Sequence, residues 1–203
     1  MPIELTFSNI AQLLAILTPI LITFFMLMLS AMNQNFKGIV FIAGALLAIV
    51  SNIPFLSLIK NPRSEDESFT CNIIDIPILT KYNVPSSSSV FIAFTFAYLF
   101  LPMISTKNNM NYPIIISLLL LFAMDGVSRK VNNCTTLLGV VFGGVFGCIL
   151  GSIWFLVLKV AGAEDLLYFN ESNSNAVRCT RPSKQTFKCS VYKNGQLVSS
   201  NIA

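Results

Sequence analysis

Five long runs of apolar residues constrain this chain more than any other feature. They lie at about residues 10–31, 38–59, 88–104, 112–126 and 135–160 of the 203-residue sequence. At a rise of 1.5 Å per residue, a helix of about 20 residues is as long as the hydrocarbon core of a bilayer is thick. The runs therefore predict an all-α polytopic membrane protein, in which residues 1–160 form a bundle of about five transmembrane helices.

The composition agrees with a membrane location. Hydrophobic residues make up 54% of the chain, charged residues make up 11%, and the mean hydropathy is +0.72. A soluble domain carries about 25% charged residues, and a chain of this size cannot hide so much apolar surface from water. Membrane lipids are thus the first predicted partner. Because the runs contain few ionisable residues, they give little support to a channel or a transporter.

The chain contains no histidine. Histidine is the commonest general base and metal ligand, so its absence removes many catalytic mechanisms. The five cysteines form no C-x-x-C pair, which argues against zinc and iron–sulfur sites. We expect neither a metal nor another cofactor.

The last apolar run contains a regular series of glycines. Gly139, Gly143, Gly147 and Gly151 recur every four residues and therefore share one face of a helix. Small residues at this spacing let a second helix approach closely in lipid. A helix of the same chain is the first interpretation of this face, and the seam of a homo-oligomer is the alternative.

The fourth run ends in charged residues. Asp125 is followed by Arg129 and Lys130. Since a carboxylate at the centre of a bilayer costs about 2.5–3.5 kcal/mol, we expect Asp125 to lie near the interface. The four-residue spacing to Arg129 allows an ion pair if the helix continues that far.

Residues 161–203 form a polar tail. From residue 175 onward every charged residue is basic, and Asn194-Gly195 between two β-prone segments predicts a hairpin. The basic residues of the tail are expected to form a surface on which a partner protein docks. The alternative is a solvated basic face without a partner. The candidate partner contacts are Arg178, Arg181, Lys184, Lys188 and Lys193.

The charges also predict an orientation. With five spans, the N-terminus and residues 60–87 and 127–134 share one side, called face A, and the remaining loops and the tail share face B. Face B carries eight basic and three acidic residues, whereas face A carries five basic and six acidic ones. The positive-inside rule places face B in the cytosol. Cys71 and Cys134 fall on face A and Cys179 and Cys189 in the tail; each pair could form a disulfide or remain reduced.

Two segments have the spacing of enzyme motifs. Pro85-Ser86-Ser87-Ser88 opens the third run, and Ser128-Arg129 is followed at fixed intervals by Thr135 and Gly139. With Lys60-Asn61-Pro62-Arg63 before them, these segments resemble the motifs of the type-2 phosphatidic acid phosphatase superfamily of membrane enzymes. The resemblance covers roughly residues 55–155 and includes the glycine-rich helix.

Measured against that family, the chain lacks the catalytic groups. Ser88 stands where the family has its general-acid histidine, Thr135 replaces the nucleophilic histidine, and Gly139 replaces the orienting aspartate. Neither serine nor threonine can replace imidazole near neutral pH without an activating base. The resemblance thus implies a pseudoenzyme and no enzymatic activity. Possible contacts with phosphate headgroups are Arg63, Arg129 and Lys130, for which ordinary anchoring at the membrane interface is the alternative.

A second resemblance concerns the C-terminal part of the chain. Residues 166–169 and 181–195, and with them most of the chain, resemble multispan membrane proteins of large double-stranded DNA viruses of the algal-virus and mimivirus kind. Such viruses carry a lipid membrane, derived from the host during assembly, beneath an icosahedral capsid. The resemblance implies a virion protein of that internal membrane that meets capsid or minor capsid proteins and binds no nucleic acid. It also implies that viral thiol oxidases permit a Cys179–Cys189 disulfide.

The function predicted from the sequence is therefore structural. The chain is expected to anchor the internal membrane of a virion to minor capsid proteins through its basic tail. The alternative is a catalytically inactive lipid-phosphatase-like protein that binds or handles phospholipid.

Overall fold

The computed structural model describes residues 7–59, 71, 82, 84–105, 110–169, 188–193 and 196–202. The chain divides into two compact units, residues 1–172 and residues 173–203. The first unit contains the helices and the second contains two strands.

Five long helices lie in the described part of the first unit. They are α1 (Phe7–Met32), α2 (Lys37–Ile59), α3 (Ser87–Ser105), α4 (Tyr112–Val131) and α5 (Leu137–Val160), and a short 3-10 helix (Glu164–Leu166) follows them. Each coincides with one predicted run. α4 continues five residues beyond its predicted end, because the charged residues of its last turns pair with each other. α5 begins two residues late, where Thr136 Oγ1 accepts a hydrogen bond from the backbone N–H of Gly139 at 3.1 Å and caps the helix.

Four of the described helices, α1 (from Gln12), α2, α3 and α5, are long and apolar enough to cross a membrane. Their outward surfaces remain strongly apolar; the side chain of Leu58, for example, is 77% exposed. Exposed apolar area on this scale is unfavourable in water and is expected of a surface that faces lipid. The structure is thus compatible with the predicted multi-pass membrane protein.

α3 lies at the centre of the bundle. It packs most extensively on α5 and also contacts α2 and α4, and it is the most buried of the four membrane-length helices. Aromatic rings fill the space between α2 and α3: the ring centroid of Phe41 lies 6.2 Å from that of Phe91 and 5.6 Å from that of Tyr98. The first pair is T-shaped and the second is tilted, and aromatic contacts of this kind add to the packing energy of the core.

The chain turns back after α5. Gly162 adopts a positive φ of 68°, a left-handed conformation that glycine adopts at little cost, and the chain reverses there. Leu167 is buried, and the hydroxyl of Tyr168 donates a hydrogen bond to the backbone carbonyl of Met26 in α1 at 2.7 Å. Residues 161–169, which the sequence analysis placed in the polar tail, therefore pack on the helices, because Leu167 and Tyr168 have a partner surface there.

The second unit contains β1 (Lys188–Lys193) and β2 (Gln196–Ile202), which pair antiparallel. Lys188 lies opposite Ile202 and Lys193 opposite Gln196, and the register shifts between Val191 and Tyr192. The predicted Asn194-Gly195 turn lies outside the described residues.

Candidate functional site

A polar cluster lies where α3 begins. At its centre is Asp125 of α4, whose side chain is 1% exposed. Ser88 Oγ donates to Asp125 Oδ1 at 2.7 Å, Ser89 Oγ donates to Asp125 Oδ2 at 3.3 Å, and Arg129 Nε donates to Asp125 Oδ1 at 2.9 Å. Both carboxylate oxygens are thus hydrogen-bonded and the charge is paired, which is the condition for keeping a carboxylate inside an apolar bundle.

Local sequence and helix geometry together create this cluster. Asp125 and Arg129 are one turn apart on α4, as the spacing predicted, and they form an ion pair. Ser88 and Ser89 belong to the first turn of α3, and they meet Asp125 because α4 ends beside the start of α3. Sequence reasoning missed the contact of the serines with Asp125, since no pattern along the chain links positions 36 or 37 residues apart.

Further polar groups surround the start of α3. Asn52 of α2 donates from Nδ2 to Ser87 Oγ at 3.1 Å, and the backbone N–H of Ser86 donates to the carbonyl of Gly139 at 3.1 Å. Asn52 Oδ1 and Ser86 Oγ are buried and have no hydrogen-bond partner within the described part of the chain. The serine motif, Arg129 and Gly139 therefore meet at one end of the bundle, and Thr135 is buried in the turn between α4 and α5.

The cluster presents a cation at its edge. The side chain of Arg129 is 24% exposed, and the following residue, Lys130, is exposed. Arg129 uses Nε for Asp125, while a guanidinium has five N–H donors. A phosphate or carboxylate group is the natural acceptor for those that remain. The arrangement is thus suited to holding an anionic group at the end of the bundle.

An apolar cleft of about 470 Å³ begins one turn away from the cluster. It lies between α3, α4 and α5, because α4 packs on α1 and α3 and has much less contact with α5. Ile92 and Ala93 follow the two serines on α3, and Phe122 precedes Asp125 on α4. Val145 and Cys148 line the opposite wall on α5. The cleft thus ends about one turn short of the polar cluster, and Arg129 lines a separate small pocket with Ile16, Cys71 and Cys134.

The glycine face of α5 lies against α3. A methyl group added to Gly143 would come within 2.8 Å of the carbonyl oxygen of Ser86, and one added to Gly151 within 2.6 Å of that of Phe94. Gly147 faces the carbonyl of Val90 still more closely, and the carbonyl of Gly139 accepts the bond from Ser86. These glycines are thus placed against a helix of the same chain.

The structure contains a disulfide between Cys71 and Cys134, with Cα atoms 5.4 Å apart. It connects the segment after α2 to the turn between α4 and α5, which is one of the two pairings that the sequence left open. Cys148 is a free thiol. Cys189 belongs to β1, whereas Cys179 lies outside the described residues.

The remaining predicted contacts are mostly outside the part of the chain that is described. Lys188 and Lys193 are the ends of β1. Four basic residues, together with their predicted roles, lie outside the described ranges: Arg63, Arg178, Arg181 and Lys184.

No family model matches this chain, and neither the curated proteins nor the solved structures contain a match to it.

Proposed function

We propose that this chain is a structural, non-catalytic membrane protein of the internal membrane of a large DNA virus, where it anchors the bilayer to minor capsid proteins. One observation carries the proposal: a helical unit whose outer surface suits lipid is followed by a separate unit that holds the tail's basic residues. The helices hold the protein in the membrane, and the tail is left outside it for a partner. The viral location rests on the resemblance of the sequence.

The proposed topology has five crossings. α4 ends, and α3 and α5 begin, at the same polar cluster, so α4 runs antiparallel to both and traverses the same thickness of the bundle. The Cys71–Cys134 disulfide joins two segments of that side, which is face A. At the other side Tyr168, just after α5, contacts α1 six residues before its end. The start of the tail, residues 161–169, is therefore assigned to face B.

In this proposal the tail docks on capsid subunits through its basic residues, and an exposed edge of the hairpin adds a strand to a partner's sheet. The contact residues proposed are Arg178, Arg181, Lys184, Lys188 and Lys193.

Lysine-directed crosslinking in intact particles tests the anchor. We expect the tail lysines to crosslink to capsid proteins. A variant with Arg178 and Arg181 replaced by glutamine keeps every reactive lysine, and we expect it to lose most of these crosslinks while staying in the membrane. The matched control replaces Lys37 and Lys159, which also belong to face B, and retains the crosslinks. Tail lysines that react only with other copies of this chain would contradict the proposal.

The second candidate is an inactive lipid-phosphatase-like protein that binds a phospholipid headgroup. It is favoured by the position of Arg129, which Asp125 holds on α4 two turns beyond the cleft residue Phe122, and by the exposed Lys130 beside it. Arg63 is the third proposed contact.

Native mass spectrometry of the purified protein tests the second candidate. Arg129→Gln is expected to reduce co-purified anionic phospholipid, whereas Lys159→Gln, on the opposite face, is expected to leave it unchanged. Equal lipid content in both variants excludes Arg129 as a headgroup contact. Turnover of any phosphorylated lipid by the unmodified protein would overturn the non-catalytic part of both candidates.

A further inference from the structure

We infer that the cleft between α3, α4 and α5 binds one acyl chain of a membrane phospholipid, with the glycerol and phosphate at its Arg129 end. The inference rests on the membrane location and deepens the second candidate function. It concerns the acyl chain of the lipid. The headgroup contacts proposed above could form without any binding site for that chain.

The walls of the cleft select an apolar ligand. Phe96 of α3, Leu118 of α4 and Ile149 of α5 are among the residues that line it, and its volume of about 470 Å³ is that of a small-molecule pocket. Water has no polar partners on such walls, and an apolar space of this size does not hold ordered water. Two of the three helices that form the walls are long enough to cross a membrane, so the surrounding medium that can enter the cleft is lipid.

The floor of the cleft does not suit a helix from a second copy. Close helix approach in lipid needs an open surface of small residues, and the face of Gly143, Gly147 and Gly151 is already covered by α3. Gly144, which lies in the cleft, is covered by the ring of Phe122: a methyl group added there would come within 2.8 Å of Phe122 Cζ. A thin, flexible chain fits this space, whereas a helix of about 10 Å diameter does not.

The polar cluster fixes the direction of the lipid. The apolar walls end one turn from Asp125, and the partly exposed guanidinium of Arg129 follows on the same helix. A phospholipid has its charges in the same order, an anionic phosphate at one end and methylenes along the rest. Along α4 the order of apolar wall and then cation therefore matches the order of acyl chain and phosphate in a phospholipid.

Photocrosslinking with a defined lipid tests the inference. The full chain is reconstituted in nanodiscs of phosphatidylcholine that contain a phosphatidylcholine with a diazirine near the end of one acyl chain. We expect crosslinks to concentrate on the peptides that contain Phe122 and Cys148. Labelling spread evenly over the outward faces of all helices would mean ordinary surrounding lipid and would overturn the inference.

A matched pair of variants keeps the test specific. Val145 lines the cleft and is 57% exposed, and Val157, outside the lining residues on the same helix, is 50% exposed. Val145→Trp is expected to abolish labelling of the cleft peptides, and Val157→Trp is expected to retain it. Retained cleft labelling in Val145→Trp contradicts the inference.

The free thiol of Cys148 gives a second measurement, made in a Cys179→Ser/Cys189→Ser background. Its alkylation in detergent should slow when phosphatidylcholine is added. An unchanged rate, or a dimer linked through Cys148 in the membrane, overturns the inference, the latter because it places a second copy at the cleft. The tail crosslinks to capsid proteins are unaffected by either result, so this inference and the proposed anchor fail separately.

Discussion

At the scale of single residues, the Asp125 carboxylate is the most constrained group described. It lies in the bundle, accepts bonds from Ser88, Ser89 and Arg129, and thereby links α3 to α4. A buried ion pair contributes little beyond what apolar residues of the same shape would, but removing one partner leaves the other uncompensated. Removing one partner of this cluster therefore destabilises the fold by more than the intact cluster stabilises it.

We expect Asp125→Asn to lower the free energy of unfolding by about 3 kcal/mol, because Arg129 and the two serines lose charged acceptors. Thermal unfolding of the purified protein in detergent measures the change. Asp165→Asn, in the exposed 3-10 helix, is the control and should stay near the parent protein. Equal melting temperatures for the two variants would show that the carboxylate is not the acceptor that holds the cluster together.

The tyrosine after α5 has a comparable role on the opposite face. Tyr168→Phe removes the bond to the Met26 carbonyl and should cost about 1 kcal/mol, while Tyr112→Phe, at an exposed position, should cost nothing measurable. Burial raises the pKa of Tyr168, so the folded state favours its neutral form. Its contribution is fully present below the ordinary tyrosine pKa of about 10 and is lost as the pH rises above that value. Denaturation curves of Tyr168→Phe and the parent protein should differ at neutral pH and converge at strongly alkaline pH.

At the scale of helices, close contact between α3 and α5 depends on the glycine face. Gly147→Ala should destabilise the bundle by about 1–3 kcal/mol, because the new methyl group meets the backbone carbonyl of Val90, which cannot move without shifting α3. Gly126→Ala is the control, since its methyl group would meet only the side chain of Val140 at 3.1 Å. Thermal unfolding in detergent compares the two. If both variants melt alike, the glycines do not set the helix spacing.

Which elements and contacts could be predicted from the sequence depends on how far apart along the chain the residues involved lie. The five helices and the Asp125–Arg129 pair follow from local patterns, namely hydropathy over about 20 residues and the i, i+4 spacing. Three contacts were not predictable: the serines with Asp125, the closure of the Cys71–Cys134 disulfide, and Tyr168 with Met26. Each joins residues that become neighbours only once the order of helix packing is set. The cleft is of the same kind, since it results from the separation of α4 and α5.

At the scale of the whole molecule, the disulfide connects segments 63 residues apart. Closing a loop of that length stabilises a fold by about 4 kcal/mol in the chain-entropy estimate, and by less where helices already restrict the unfolded chain in the membrane. We therefore expect Cys71→Ser to lower the melting temperature in detergent and reducing agent to do the same to the parent protein. Cys148→Ser, which leaves the disulfide intact, is the control. A melting temperature insensitive to reduction would contradict a structural role for the disulfide.

The bond between Tyr168 and Met26 has a consequence for how the protein is made. The two residues are 142 positions apart, so α1 leaves the ribosome long before its partner exists. If the helices insert into a bilayer as they are synthesised, α1 is at first held only by contacts with the helices that follow it. The bond from Tyr168 to α1 therefore forms only after α5 has been synthesised, and the segment that follows α5 completes the packing of α1.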